Sequence, residues 1–342
     1  MGENELKIVI WGNYKGGVGK TTSVFQVAAH FAKKGKKVLL IDLDPQCSLS
    51  HICCTTNNTP LSTYKADQVF NYAVELYMRY INSKQDIDYL LLLGDITSCT
   101  NGIIKNLCIP VKNLEYHKNL WFIPSSISFE NSRLNHLSQR MEKNIFNIFL
   151  LYLFKQDINE MGFDYLFIDC PPSSNLLIQS AFLVSDFYIV PTIIDEISAM
   201  GVADYITEIE KTYLKYAMHE EIGGILLNKV FGDKSRLIGI IETLYKERKG
   251  YANNSNQIIL LDKNISGIRG INSLISDNKY AHLRYDMAIN KFTTANIFRH
   301  YIGHRDNRSS GESIPKNTAN GISTVSYYEI SESILEILED QK

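Results

Sequence analysis

Residues 15–22 read KGGVGKTT and stand between an apolar run, Lys7-Ile8-Val9-Ile10-Trp11, and a segment from Ser23 to Phe31 with apolar residues at helical spacing. A strand feeding a glycine-rich loop that opens a helix constrains the fold more than any other stretch of the chain. Gly16, Gly17 and Gly19 let successive backbone N–H groups converge on an anion without interference from a Cβ, at the positive end of the following helix. The loop is a phosphate cradle: amides from Gly16 to Thr22, Val18 included, face the nucleotide, Lys20 meets the β- and γ-phosphates, and the Thr21 hydroxyl ligates Mg²⁺. The ordinary pattern asks for glycine five residues before Gly19, where this chain has Tyr14, and a second lysine, Lys15, follows it.

Two more segments end where such a site needs them. Lys37-Val38-Leu39-Leu40-Ile41 is a short apolar strand that runs into Asp42-Leu43-Asp44-Pro45-Gln46. Alternation puts Asp42 and Asp44 on one side of its end, and Pro45 stops it. Tyr165-Leu166-Phe167-Ile168 is a second buried strand, closed by Asp169-Cys170-Pro171-Pro172. A single Asp at a strand end is ordinarily a turn or cap residue; three of them after strands, downstream of a phosphate loop, point to a nucleotide–metal site.

The octet with its extra lysine resembles the deviant Walker A motif of the ParA/MinD superfamily of ATPases, and DLDPQ resembles the Walker A′ motif of that family. The resemblance implies that Lys15 reaches across a dimer to the partner's nucleotide, that Asp44 holds the attacking water and that Asp42 supports the Mg²⁺ shell. Phe167-Ile168-Asp169 resembles Walker B, which implies that Asp169 holds Mg²⁺ through a water, as an ion that keeps much of its hydration does. The likeness extends through Leu120-Trp121-Phe122-Ile123-Pro124-Ser125, the Asp186–Thr192 strand with Glu196 and Met200-Gly201 behind it, Gly223–Asn228 as a sixth strand, and a last helix from Tyr327 to Leu338. Asn228 then has two readings, a side-chain amide on adenine or a residue that turns the chain at a strand end.

With 342 residues, 45% of them hydrophobic, the chain has material for a sizeable core. No apolar run reaches membrane-spanning length and no signal-like stretch precedes the first strand, so a cytoplasmic protein is expected. The six cysteines, Cys47, Cys53, Cys54, Cys99, Cys108 and Cys170, lack zinc-like spacing and read as reduced, mostly buried thiols; an iron–sulfur role would need some of them to bridge subunits.

Strands expected at 7–11, 37–41, 119–123, 163–168, 186–190, 223–228 and 257–261 alternate with helical patterns. This is a doubly wound α/β fold with a mostly parallel sheet and its site at the carboxyl ends of the strands. The chain reads as one domain with insertions at about 55–117 and 303–324, a helical pattern at Val69–Ile81, an apolar cluster at Tyr89–Leu93, and a C-terminal helix at about 327–340.

A net charge of −2 excludes a uniformly basic nucleic-acid binder but leaves room for a local basic face. Lys229, Lys234, Arg236, Lys246, Arg248 and Lys249 outnumber Asp233, Glu242 and Glu247 within one segment; the run is either a solvated face or a weak DNA-binding patch working through phosphates. The resemblance thus implies a slow Mg²⁺-dependent ATPase that forms an ATP-sandwich homodimer, binds nonspecific double-stranded DNA, answers to a ParB-like or other adaptor, and partitions a plasmid or chromosome. A MinD-like membrane role would need a basic amphipathic C-terminal helix, whereas Glu329, Glu332, Glu336, Glu339 and Asp340 make this one acidic.

Overall fold

In Lys7–Trp11, Ile8, Val9, Ile10 and Trp11 are all fully buried, the mark of a strand covered on both faces. A computed structural model describes residues 6–83, 103–112, 118–193, 196–243, 285–286, 291–292, 297–298 and 322–340. In it this strand, β1, lies at the centre of the sheet.

The strands are β1, β2 (Val38–Asp42), β3 (Ile109–Pro110), β4 (Leu120–Ile123), β5 (Tyr165–Asp169), β6 (Phe187–Ile193), β7 (Arg236–Thr243) and, among the described residues further on, three two-residue pieces, β8 (Tyr285–Asp286), β9 (Lys291–Phe292) and β10 (Ile297–Phe298). The main sheet runs β10-β7-β6-β1-β5-β2-β4-β3; its pairs are parallel except β3 with β4, and β8 pairs antiparallel with β9 in a separate ribbon.

The helices are α1 (Lys20–Lys33), α2 (Ser48–Thr56), α3 (Phe70–Asn82), α4 (Ile103–Leu107), α5 (Leu134–Met141), α6 (Leu150–Asn159), α7 (Leu176–Val184), α8 (Glu196–Ala217), α9 (Gly223–Phe231) and α10 (Ile322–Glu339). Period-two alternation sorts the strand side chains into two cores. Ile8, Ile10, Leu39, Ile41, Leu166 and Ile168 pack with α3 and α5 to α8, while Val9, Trp11, Val38, Leu40 and Phe167 pack with α1, α2 and α10. The sheet is therefore wrapped on both sides, as its apolar runs require.

Five expected strands fall within two residues of their observed starts, and the helix expected at Val69–Ile81 is α3. The strand expected at 223–228 is a correction: Gly223–Phe231 is helical, with Leu227 and Val230 turned inward and Ile225 90% exposed. The next strand to join β6 is β7 instead. The expected strand at 257–261, the cluster at Tyr89–Leu93 and nearly all of the 303–324 insertion lie outside the described residues.

α10 begins before the expected start and lies along α1. Its inner face, Tyr327, Ile330, Ile334, Leu335 and Leu338, is buried. Polar contacts fix the register: the Tyr327 and Ser23 hydroxyls meet at 2.9 Å, and Glu332 takes both Lys34, at 2.5 Å, and His30 Nε2, at 2.8 Å. Burial pushes the His30 pKa down against the pull of Glu332, whose carboxylate accepts from Nε2.

Candidate functional site: a phosphate loop facing a buried carboxylate

The register of three neighbouring strands assembles the site. Trp11 of β1 pairs with Asp169 of β5, and Asp169 pairs with Asp42 of β2, so these strands end level at the carboxyl edge of the sheet. The loop 12–19 leaves β1 at that edge and turns into α1 at Lys20.

Gly17 and Gly19 have φ of +73° and +77°, a region that side chains with a Cβ rarely adopt. A Cβ at Gly16 or Gly17 would meet nothing within 4 Å, so the concave side of the loop is open. At Gly19 a Cβ would lie 3.3 Å from the Thr243 hydroxyl. That buried hydroxyl holds the loop from behind, 2.5 Å from the Val18 carbonyl and 3.1 Å from that of Thr192. No signal near Thr243 marked it for this task, because its partner is 225 residues away.

Lys20 is 7% exposed and its ammonium rests on the Lys15 carbonyl at 3.0 Å. Burial pushes its pKa down, while Asp169 and Asp44 support the charge. Lys15, Thr21 and Thr22 are part-exposed on the open side, and Val18 is buried.

Asp169 is 1% exposed and neither of its carboxylate oxygens has a hydrogen-bond partner. Burial, and then the charge of Asp42, push its pKa well above the carboxylate range, with the Thr21 hydroxyl and Lys20 pulling the other way. An orphaned buried carboxylate beside a helix-start hydroxyl has the hard oxygen donors that a divalent cation takes. Among the described residues no three His, Cys, Asp or Glu close into a metal cage. Mg²⁺ needs none, since it is held by one or two carboxylates with water and phosphate oxygens.

Asp42 is equally buried but engaged: Oδ1 accepts the Asp44 N–H at 3.0 Å and Oδ2 the Ser50 N–H at 2.9 Å. Burial pushes its pKa up to about 7 against the pull of the Ser50 amide. Its carboxylate therefore shapes the turn that presents Asp44. Asp44 is part-exposed, and its Oδ1 accepts the Gln46 N–H at 2.9 Å.

The other residues singled out by the sequence do not join this edge. Asn228 is exposed on α9 rather than at the strand end expected for it. Lys234 is paired with Glu210 at 2.9 Å, and Arg236 lies over the Phe187 ring at 4.6 Å. Because β7 runs parallel to β6, Arg236 stands at the amino edge of the sheet, opposite the phosphate loop. Lys229 is exposed on α9, and Lys246, Arg248 and Lys249 lie outside the described residues. The described cysteines, Cys47, Cys53, Cys54, Cys108 and Cys170, are free thiols.

An open glycine loop at a helix start, with a lysine folded into it and an unpaired acid one strand away, belongs to the P-loop class of nucleotide-binding α/β proteins. The family model described as "AAA domain" (AAA_31) matches residues 6–222, and the chain belongs to this family, within the ParA/MinD superfamily that its motifs resemble. It is 27% identical to the sporulation initiation inhibitor protein Soj of Bacillus subtilis over 240 residues, 70% of this chain and 79% of that one. Two uncharacterised Mycobacterium tuberculosis proteins are 24% identical over 228 residues, a match that covers 65% of this chain but only 58% of theirs. Among solved structures, a Cyanothece McdA–ATP complex superposes with a TM-score of 0.59 at 15% identity over 98% of this chain and 96% of that one. Cobyrinic acid a,c-diamide synthase of Mycobacterium smegmatis, with an ATP analogue and magnesium, superposes at 0.56 and 16% identity over 98% and 97%. These two likenesses are likenesses of fold.

Proposed function

We propose that this chain is a ParA-type, Mg²⁺-dependent ATPase that dimerises around two ATP molecules and partitions DNA. The observation that carries the reading is Asp169, a fully buried carboxylate with two unpartnered oxygens facing the loop that Lys20 and Thr21 open. A buried anion left in this state is costly unless a cation completes it.

When bound, Mg²⁺ would supply charge neutralisation on the β- and γ-phosphate oxygens. Asp169, through a water, and the Thr21 hydroxyl would hold it. The amides of the 16–22 loop bind the phosphates, and the Lys20 ammonium leaves the Lys15 carbonyl to meet the γ-phosphate. Asp44, part-exposed at the mouth, orients the attacking water; Asp42 holds the Asp44 amide and would support the Mg²⁺ shell. Lys15 adds a positive charge at the nucleotide of a second subunit, so hydrolysis is slow in the monomer. Support comes from family membership, from the Soj relative and from the ATP and magnesium in similarly folded structures.

DNA contact would run through Lys229 together with Lys246, Arg248 and Lys249, because Lys234 already has Glu210. An adaptor that stimulates hydrolysis would then release the dimer from DNA. The MinD-like membrane reading is disfavoured by α10, whose apolar face is spent on α1. No helix among the described residues is long and apolar enough to cross a membrane.

Retention of nonspecific duplex DNA by the Asp44→Ala protein, with ATP against ADP over a salt series, tests the reading. ATP-dependent retention that falls steeply with salt is expected. An ATP-bound dimer that ignores DNA at low salt would shift the cargo from DNA to a protein assembly. Absence of Mg²⁺-dependent ATP binding would remove the ATPase reading altogether.

A further inference from the structure

Asn13 lies just ahead of the glycine octet and is fully buried. β1 and β6 pair as far as Trp11 and Ile189, which leaves the Pro191 carbonyl of β6 beyond the end of the ladder. The Asn13 Nδ2 donates to that carbonyl at 2.9 Å, so a side chain supplies the next rung. Its Oδ1 accepts the N–H of Lys15 at 2.9 Å, an Asx turn across two residues. The Lys15 carbonyl in turn receives the Lys20 ammonium at 3.0 Å. Gly201 of α8 lies against the same Oδ1, where a Cβ would sit 3.4 Å away.

We propose that Asn13 is a positioning residue for Lys15, tying the Lys15 peptide to β6 so that the Lys15 side chain is held in its working orientation. The inference rests on the reading of Lys15 as part of the hydrolytic step. Few side chains meet both demands. An aspartate would set an oxygen against the Pro191 carbonyl, alanine reaches neither partner, and serine can accept from the amide two residues on but cannot span to β6.

The test compares Mg²⁺–ATP turnover by full-length wild type, N13A, K15A, the double variant and N13S, with kcat and KM separated. N13A is expected to lower kcat about tenfold and to change KM less than about threefold, because the loop amides and Lys20 still bind the phosphates. Since Asn13 acts through Lys15, N13A in the K15A background should cost no more than about twofold, a non-additivity that general loosening of the fold does not produce. N13S, which keeps the contact to the Lys15 amide but loses the tie to Pro191, should lower kcat about threefold or more with KM little changed, and it decides the matter should N13A fail to fold. Multiplying effects of N13A and K15A, or wild-type kcat in N13A or in N13S, would each overturn the assignment while leaving Lys15 in place. Wild-type turnover in K15A, or none in the wild type, would instead overturn the reading of Lys15 or of the ATPase, and this inference with it.

Discussion

Replacing Asp169 with Asn should move stability and ligand binding in opposite directions. The carboxylate is 1% exposed, lacks a partner for either oxygen, and sits beside the Asp42 charge. A buried unsatisfied polar group costs about 1–3 kcal/mol, and more when charged. Removing the charge at nearly constant volume should therefore stabilise the nucleotide-free, metal-free protein by about 2 kcal/mol, a rise in Tm of about 3 °C for a chain of this size. The pH dependence has a definite sign. A carboxyl whose folded-state pKa is raised binds more protons folded than unfolded, so its contribution to stability falls as pH rises above the ordinary carboxylate value of about 3.9. The advantage of the variant should accordingly shrink toward acid. With Mg²⁺ and ATP the order should reverse: at 100 times Kd the wild type gains about 2.7 kcal/mol, and the variant, without its metal-holding group, gains much less. Scanning calorimetry with and without Mg²⁺–ATP reads both. A variant less stable than wild type when ligand-free, or stabilised by Mg²⁺–ATP as strongly as wild type, would refute the account of Asp169 as a metal-holding residue.

Other substitutions probe single contacts. Lys20→Ala should weaken ATP binding by about 100-fold in calorimetry, since a charge-assisted contact is worth about 1.5–3 kcal/mol; undiminished binding would remove the phosphate-loop reading. Asp44→Ala should bind ATP within about threefold of wild type yet lose about 100-fold or more in phosphate release, because it acts on water rather than on the nucleotide; sedimentation should show a persistent dimer. Gly12→Ala should destabilise the fold by about 3 kcal/mol in urea titration, because its Cβ would lie 1.7 Å from the Tyr205 hydroxyl, whose ring is held between Tyr14 and Phe182 at centroid distances of 5.3 and 5.6 Å. Wild-type stability for that variant would mean Tyr205 has room to move.

The sequence was informative where chemistry and periodicity coincide. The octet, Asp42 and Asp169 follow fully buried strands, and their register brings them to one edge. It was misleading at Gly223–Asn228, because a short apolar run satisfies a buried strand and a one-sided helix equally. There the +68° φ of Gly223 starts a helix that buries Leu227 and Val230 and leaves Ile225 outside. The residues that hold the loop were silent for a different reason: Asn13 meets Pro191 across 178 positions, and Thr243 meets Val18 across 225. Such partnerships exist only once the sheet has formed. The basic run, read from charge alone, gave no hint that Lys234 spends its charge on Glu210.

The seating of α10 on α1 bears on how the protein is made. The Ser23 and Tyr327 hydroxyls that lock the two helices together are 304 residues apart, a delay of about 15–60 s at a synthesis rate of roughly 5–20 residues per second. Throughout that interval Val24, Phe31 and their neighbours on α1 lack part of the cover they have in the finished molecule. A nascent chain thus carries its phosphate-binding helix on an exposed greasy stem, a natural target for chaperone capture, until α10 docks.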